Sequence, residues 1–368
     1  MSKNLKVSKE HSGVLTKLIE HQDVLSFWLT WLSFDDLKNH RLISKKIQEY
    51  INESCTLVNL NITIKPETDL SRLWSQLSIF WSKLKRLEET NLTFDDDSVC
   101  SLEISFLNSD LYQLTTLMLL DLEDTGVENI SFLINCPNLE FLNISNTFVK
   151  DLSVLRHLKK IQTLYANGQS FENVNSLGGC SLLYLELMDC NGLKNVSCLQ
   201  KCLNLVSINL HRSNDLSTFW ESGNLSKIEI LDLEETCLSN FSFLITDWTL
   251  LVSVNLSYTN IKDIESLHQA INLETLRLDG LELTSIVPLV TCKNIETLSL
   301  RDNNRIISVE TIGQLKNLKK LDILGVSEEI LGISSILNCQ LLESLFIDEK
   351  LHQEIEDSLS SQIRIYDG

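Results

Sequence analysis

Seven histidines are the first candidates for chemistry: His11, His21, His40, His157, His211, His268 and His352. None sits in an H-E-x-x-H pair or any other local spacing that would hold a metal. Cys198 and Cys202 stand four residues apart, but no second pair completes a zinc set. The chain has no glycine-rich phosphate loop and no G-x-S-x-G elbow to present a nucleophile. An acidic pair such as Glu234-Glu235 suits a solvated face better than general acid work. The expectation is a protein with no catalytic group, no metal and no cofactor.

Recognition is the chemistry left. Phe141, Tyr165, Tyr184 and Met188 could form an aromatic and thioether patch, with Glu186 among them. Asp232, Glu234 and Glu235 would make an acidic patch next to His211, and Arg277 and Arg301 follow further along. Exposed aromatics beside charge are the composition of protein-binding hot spots. The bland alternative is that any repeat surface must carry something, and mixed polar residues cost nothing there.

These residues share a surface only if the chain repeats, and it does. "LEFLNISNTFVKDLSVLRHLKK" (139–160), "LVSVNLSYTNIKDIESLHQAIN" (251–272) and "LETLRLDGLELTSIVPLVTCKN" (273–294) follow one template, L-x-x-L-x-L-x-x-T-x-I-x-x-L-x-x-L. Roughly eleven units open near Leu117, Leu139, Ile161, Leu182, Leu205, Ile228, Leu251, Leu273, Ile295, Leu318 and Leu342. The two apolar residues spaced by two predict a strand with one buried face. The later spacing of three predicts a tight helical or 3₁₀ return. A lone unit buries too little to offset its ordering entropy, so units must stack. Side chains at template positions three, five and seven then point away from the core. The ninth position, often Thr, Ser or Asn, is expected to satisfy backbone amides freed at the turn, and Leu281 and Val326 break that rule.

This pattern resembles the leucine-rich-repeat family over about two thirds of the chain. The resemblance implies an α/β fold: a right-handed, curved leucine-rich-repeat solenoid with parallel strands on its concave, ligand-binding face. Residues 52–116 read as degenerate capping repeats, with strand templates in "LVNLNI" (57–62) and "LKRLEETNLTF" (84–94) around an amphipathic helical stretch at 71–84. The regular solenoid spans 117–350, and 351–368 should cap its end.

The formal charge of −19 argues against a nucleic-acid binder, which needs clustered Lys and Arg, and favours partners with basic patches. No apolar run reaches membrane-spanning length, and the start lacks a secretory signal. Of ten cysteines, Cys136, Cys180, Cys202, Cys292 and Cys339 fall in one repeat phase that wants a small buried residue. Reduced structural thiols in a monomeric cytoplasmic or nuclear protein are expected. A surface adhesion protein resembling bacterial internalins shares the short period, and the lack of a signal-peptide pattern and the unpaired look of the cysteines count against it.

Ahead of the repeats, residues 14–51 read as a small helical unit. Val24, Leu25, Trp28, Leu29 and Leu32 recur at helical spacing with Trp31 close by, and "SFDD" offers a capping box for a helix at Leu37. The run "DVLSFWLTWLSFDDLKNHRLISKKIQEYI" (23–51) resembles an F-box: Trp31-Leu32 matches its aromatic-Leu pair, Asp36-Leu37 its DL, and Leu42-Ile43-Ser44-Lys45 the segment after it. Glu20-His21 stand where that family has Leu-Pro, and Ile47 where it often has Trp. The resemblance implies docking to a Skp-type adaptor of a cullin–RING ubiquitin ligase, with the ubiquitination substrate held on the repeats. Val24, Leu25, Trp28, Leu29, Trp31, Leu32, Leu37, Leu42 and Ile43 would make that contact. The alternative is a scaffold or regulatory subunit whose N-terminal helices only cap the solenoid.

Overall fold

The computed structural model describes residues 57–64, 87–94, 117–124, 126–217, 225–240, 247–359 and 361–367. The F-box-like segment 14–51, with every adaptor-contact residue from Val24 to Ile43, lies outside them, as does the amphipathic stretch 71–84.

The described strands form one open sheet of fourteen, ordered as in the sequence and parallel throughout. They are β1 (Leu57–Ile64), β2 (Leu87–Phe94), β3 (Leu117–Asp121), β4 (Phe141–Asn143), β5 (Thr163–Tyr165), β6 (Tyr184–Glu186) and β7 (Ser207–Asn209). There follow β8 (Ile230–Asp232), β9 (Ser253–Asn255), β10 (Thr275–Arg277), β11 (Thr297–Ser299), β12 (Lys320–Asp322), β13 (Ser344–Ile347) and β14 (Arg364–Asp367). The two degenerate templates are thus β1 and β2. The C-terminal segment supplies a seven-residue helix, α1 (Glu349–Ile355), and then β14, which pairs with β13 in register.

Among the described residues, most return segments between β3 and β13 contain a 3₁₀ turn of three to six residues, such as Ser153–His157 and Glu265–Gln269, as the spacing of three predicts. Each strand from β4 to β12 keeps one Leu, Ile or Val on the core side: Leu142, Leu164, Leu185, Ile208, Leu231, Val254, Leu276, Leu298 and Leu321 are all buried and in mutual register. One continuous apolar core runs from Leu117 to Ile355. Every unit lends its neighbours the burial it lacks alone.

Strand pairing continues past the strands. The amide of template position eight donates to the position-seven carbonyl of the next unit: Arg212 N to Glu234 O at 2.9 Å, Tyr258 N to Asp279 O at 2.7 Å, Asp302 N to Leu324 O at 2.8 Å. Reaching that geometry needs a left-handed residue. Position eight is accordingly Gly at 168, 280 and 325, and elsewhere Asp124, Asn146, Asp189, Arg212, Glu235, Tyr258 and Asp302, all at φ between 52° and 59°. A positive φ costs a non-glycine residue about 1–2 kcal/mol, and the bond to the next unit offsets it.

The ninth position accepts from amides as expected at Ser213 (from Cys190 N, 3.2 Å) and Thr259 (from Ile261 N, 3.4 Å), and it also donates. Thr147, Thr236 and Thr259 Oγ1 each bond the carbonyl three residues back at 2.7–2.8 Å, and Ser213 Oγ reaches Leu187 O at 2.7 Å. A carbonyl has two lone pairs, and at this turn it is the buried group short of a partner.

The eight described cysteines are free thiols, seven of them buried. Cys202, Cys292 and Cys339 Sγ donate to Leu177, Leu267 and Ile312 carbonyls of the preceding unit at 3.0–3.3 Å. Burial pushes the Cys136, Cys190 and Cys198 thiols up to about 12 and those of Cys180 and Cys339 to about 11. Because the thiolate is the nucleophile, these groups are inert near neutral pH. Native thiol titration at pH 8 should find exposed Cys237 the one fast-reacting thiol among the eight described. Cys237→Ser should remove one fast equivalent; a fast count unchanged by that substitution would mean that Cys237 is not the reactive thiol.

Candidate functional site

The sheet face away from the core collects positions three, five and seven of successive units. Not all of it is accessible. Asn143, Ser145, Asn255, Ser257 and Ser299 are buried there, packed between neighbours on either side. Pointing away from the core is therefore not the same as being accessible.

Position five has a backbone task that explains its many Asn and Asp residues. The side-chain oxygens of Asn143, Asn209, Asp232 and Asn255 accept from the amide two residues on at 3.0–3.2 Å. Such Asx bends turn the chain out of each strand. Asp232 therefore holds its own turn with Oδ1 and has Oδ2 left for the face.

The aromatic patch forms at β4 to β6. Phe141 and Tyr165 meet edge to face, centroids 5.3 Å apart and planes at 84°. Register sets Tyr184 against Thr163, the neighbour of Phe141, and Glu186 against Tyr165. Tyr184 stays 45% exposed, and Ile230, two strands on, is also 45% exposed. Burial first, then the charge of Glu186, raises the Tyr165 hydroxyl above its usual range. Met188 lies half-buried beyond the strand, its amide bonded to Asn167 Oδ1 at 2.8 Å. Asn167 also donates to Glu186 Oε2 at 3.1 Å, so it orients the carboxylate of this patch.

The acidic patch forms at β7 to β9. His211 follows β7 and lies beside Glu234, with Nδ1 to Oε2 at 3.3 Å. Asp232 sits two residues earlier on the same face, and Asn255 Nδ2 donates to Asp232 Oδ2 at 3.2 Å and to Glu234 Oε2 at 2.7 Å. Burial raises the Asp232 carboxyl, and the charge of Glu234 adds to that. Glu235 turns away with its left-handed backbone and pairs with Arg212 at 3.3 Å.

The two arginines do not join this group. Arg301 is committed to Asp322, Nη2 to Oδ2 at 3.1 Å, and its amide bonds Asp279 Oδ1 at 2.9 Å. Arg277 is exposed on β10, two strands from Asp232. The sequence reading passed over Asn167 and Asn255 as bridging groups. The available signal was an amide about one repeat from an acidic residue: Asn255 stands beside Asp232 in register, and Asn167 lies two residues past Tyr165, the register partner of Glu186.

No family model matches the chain. An Arabidopsis thaliana protein named for disease resistance is 27% identical over 202 residues, covering 48% of this chain; the chain spans 22% of that relative's length. Among solved structures, an internalin of Listeria monocytogenes is 18% identical with TM-score 0.57, covering 82% of this chain and 88% of its own. A leucine-rich-repeat protein of Leptospira interrogans is 19% identical with TM-score 0.58, covering 88% and 92%. At these identities the likeness is one of fold, and the fold is the leucine-rich repeat.

Proposed function

We propose that this leucine-rich-repeat chain is a non-catalytic binding module whose sheet face grips a basic polypeptide segment carrying apolar side chains. One observation carries the reading: exposed Tyr184 and Ile230 flank half-buried carboxylates on a single in-register face. Aromatic and aliphatic anchors beside desolvated charge are where binding energy concentrates. The partner's sign follows from Glu186, Asp232 and Glu234 and from the net charge of −19.

Selection from a random peptide library should enrich segments in which Lys or Arg alternates with apolar residues. Tyr165→Ala with Tyr184→Ala should weaken the selected peptide at least about tenfold, each being a truncated anchor worth ~1–2 kcal/mol or more. Enrichment of acidic segments, or unchanged affinity in the folded double variant, would move the interface elsewhere.

A finer form of this reading makes the chain the substrate-recognition subunit of a cullin–RING ligase. It rests on the F-box resemblance of residues 14–51 alone. Pull-down with a Skp-type adaptor, comparing wild type with Leu32→Asp and Leu37→Asp, decides between that form and a scaffold with no ligase link.

A further inference from the structure

We propose that His211, Asp232 and Glu234 form a binding site for a divalent first-row transition metal ion, zinc above all. One ligand atom from each of the three lies within 4.8 Å of the others. Two ligands of one tetrahedral ion stand about 3.3–3.5 Å apart when each bond is about 2.0–2.2 Å. The His211 Nδ1 to Glu234 Oε2 separation of 3.3 Å already has that value. A carboxylate oxygen of Asp232 lies within 4.8 Å of both and would supply the third corner on closing toward the ion.

The local chemistry supports a cation in two ways. Among the described ion pairs, none joins a lysine or arginine to Asp232 or Glu234. Yet the His211 and Glu234 side chains are only 19% and 20% exposed, and water screens them incompletely. Two carboxylates in that setting gain from a bound dication more than surface acids do.

The supporting groups around the ligands are also in place. Asn255 Nδ2 bridges both ligand oxygens, and the Glu234 amide anchors Asp232 Oδ1 at 3.0 Å. A carboxylate oxygen has lone pairs enough to keep such a bond and coordinate a metal as well. Groups of this kind orient ligands and sharpen affinity.

The donor set chooses the metal. An imidazole with two carboxylate oxygens suits zinc and its neighbours, whereas calcium wants six to eight oxygens and magnesium keeps its water. The three residues come from two units, so no motif along the chain announces them: His211 and Glu234 are one repeat period, 23 residues, apart. The fourth position opens onto the sheet face and is left to water or to a donor brought by a partner. The site stands whether or not the peptide-binding reading does.

Equilibrium dialysis of the full-length, chelator-treated chain against zinc alone should find one saturable equivalent. His211→Gln and Glu234→Gln should each weaken it at least about tenfold, and Asn255→Ala should weaken it by a factor of about ten to a hundred. X-ray absorption of the wild-type zinc complex should show an imidazole among nitrogen and oxygen ligands, a readout independent of any variant's folding. No saturable equivalent, binding retained in both ligand variants, binding lost in Cys237→Ser, or sulfur in the zinc shell would each overturn the assignment.

Discussion

Leu276→Ala is expected to lower unfolding free energy by about 2–5 kcal/mol, and to do so locally. Leu276 sits at the middle of β10, fully buried, with Val254 and Leu298 beside it in register. Truncation removes the side chain's transfer free energy and leaves a cavity that flanking strands cannot close without breaking their own pairing. In a compact domain that loss would be shared by the whole core. Here each unit contacts chiefly its neighbours, so stability is close to a sum of unit and interface terms. Amide hydrogen exchange should quicken across 251–299, while β4 to β6 keep their protection. Leu276→Met, which conserves volume, should cost less than about 1.5 kcal/mol. A urea midpoint unchanged by Leu276→Ala, or protection lost evenly from Leu117 to Ile355, would contradict a core built in series.

The same periodicity governs what could be read without coordinates. Leucines at template positions one, four and six carry the register, so strand order and the buried face follow from counting residues. The left-handed turn at position eight escaped because Arg212, Glu235 and Tyr258 stand there, and none announces positive φ as glycine does. Gly168, Gly280 and Gly325 at the same phase were the available signal. The space above them is also occupied: a Cβ on Gly280 would lie 2.3 Å from the Tyr258 ring. Donor direction at position nine escaped for another reason, since a threonine can give or take and only geometry decides. The candidate face was half legible. Counting put Tyr165, Tyr184 and Asp232 on it, but could not tell that Asn143 and Asn255 beside them are buried or that Arg301 is already spoken for by Asp322.

Leu281, an apolar residue at the ninth position, leads to the second large effect. Its turn lacks a hydroxyl for the Leu278 carbonyl, and Asn303 of the following unit supplies the donor instead. Asn303 Nδ2 lies 2.7 Å from Leu278 O and 2.9 Å from Leu300 O, its own unit's equivalent. One amide thus serves two units. Its Oδ1 is buried with no hydrogen-bond partner, so the residue stabilises through its donors alone. Asn303→Leu keeps the volume and orphans both carbonyls, at about 1–3 kcal/mol for each, so roughly 2–6 kcal/mol in all. Asn303→Thr should cost less, because a hydroxyl there can still reach Leu300 O as Thr259 Oγ1 reaches Leu256 O at 2.7 Å. What that variant loses is the Leu278 bond, and Leu281→Thr would restore it from within the unit. The two threonine substitutions should therefore couple favourably in a double-mutant cycle, by about 1–3 kcal/mol in chemical denaturation. Strictly additive costs would mean that Asn303 stabilises only its own turn, and that the repeats are joined by apolar packing and strand pairing without this polar tie.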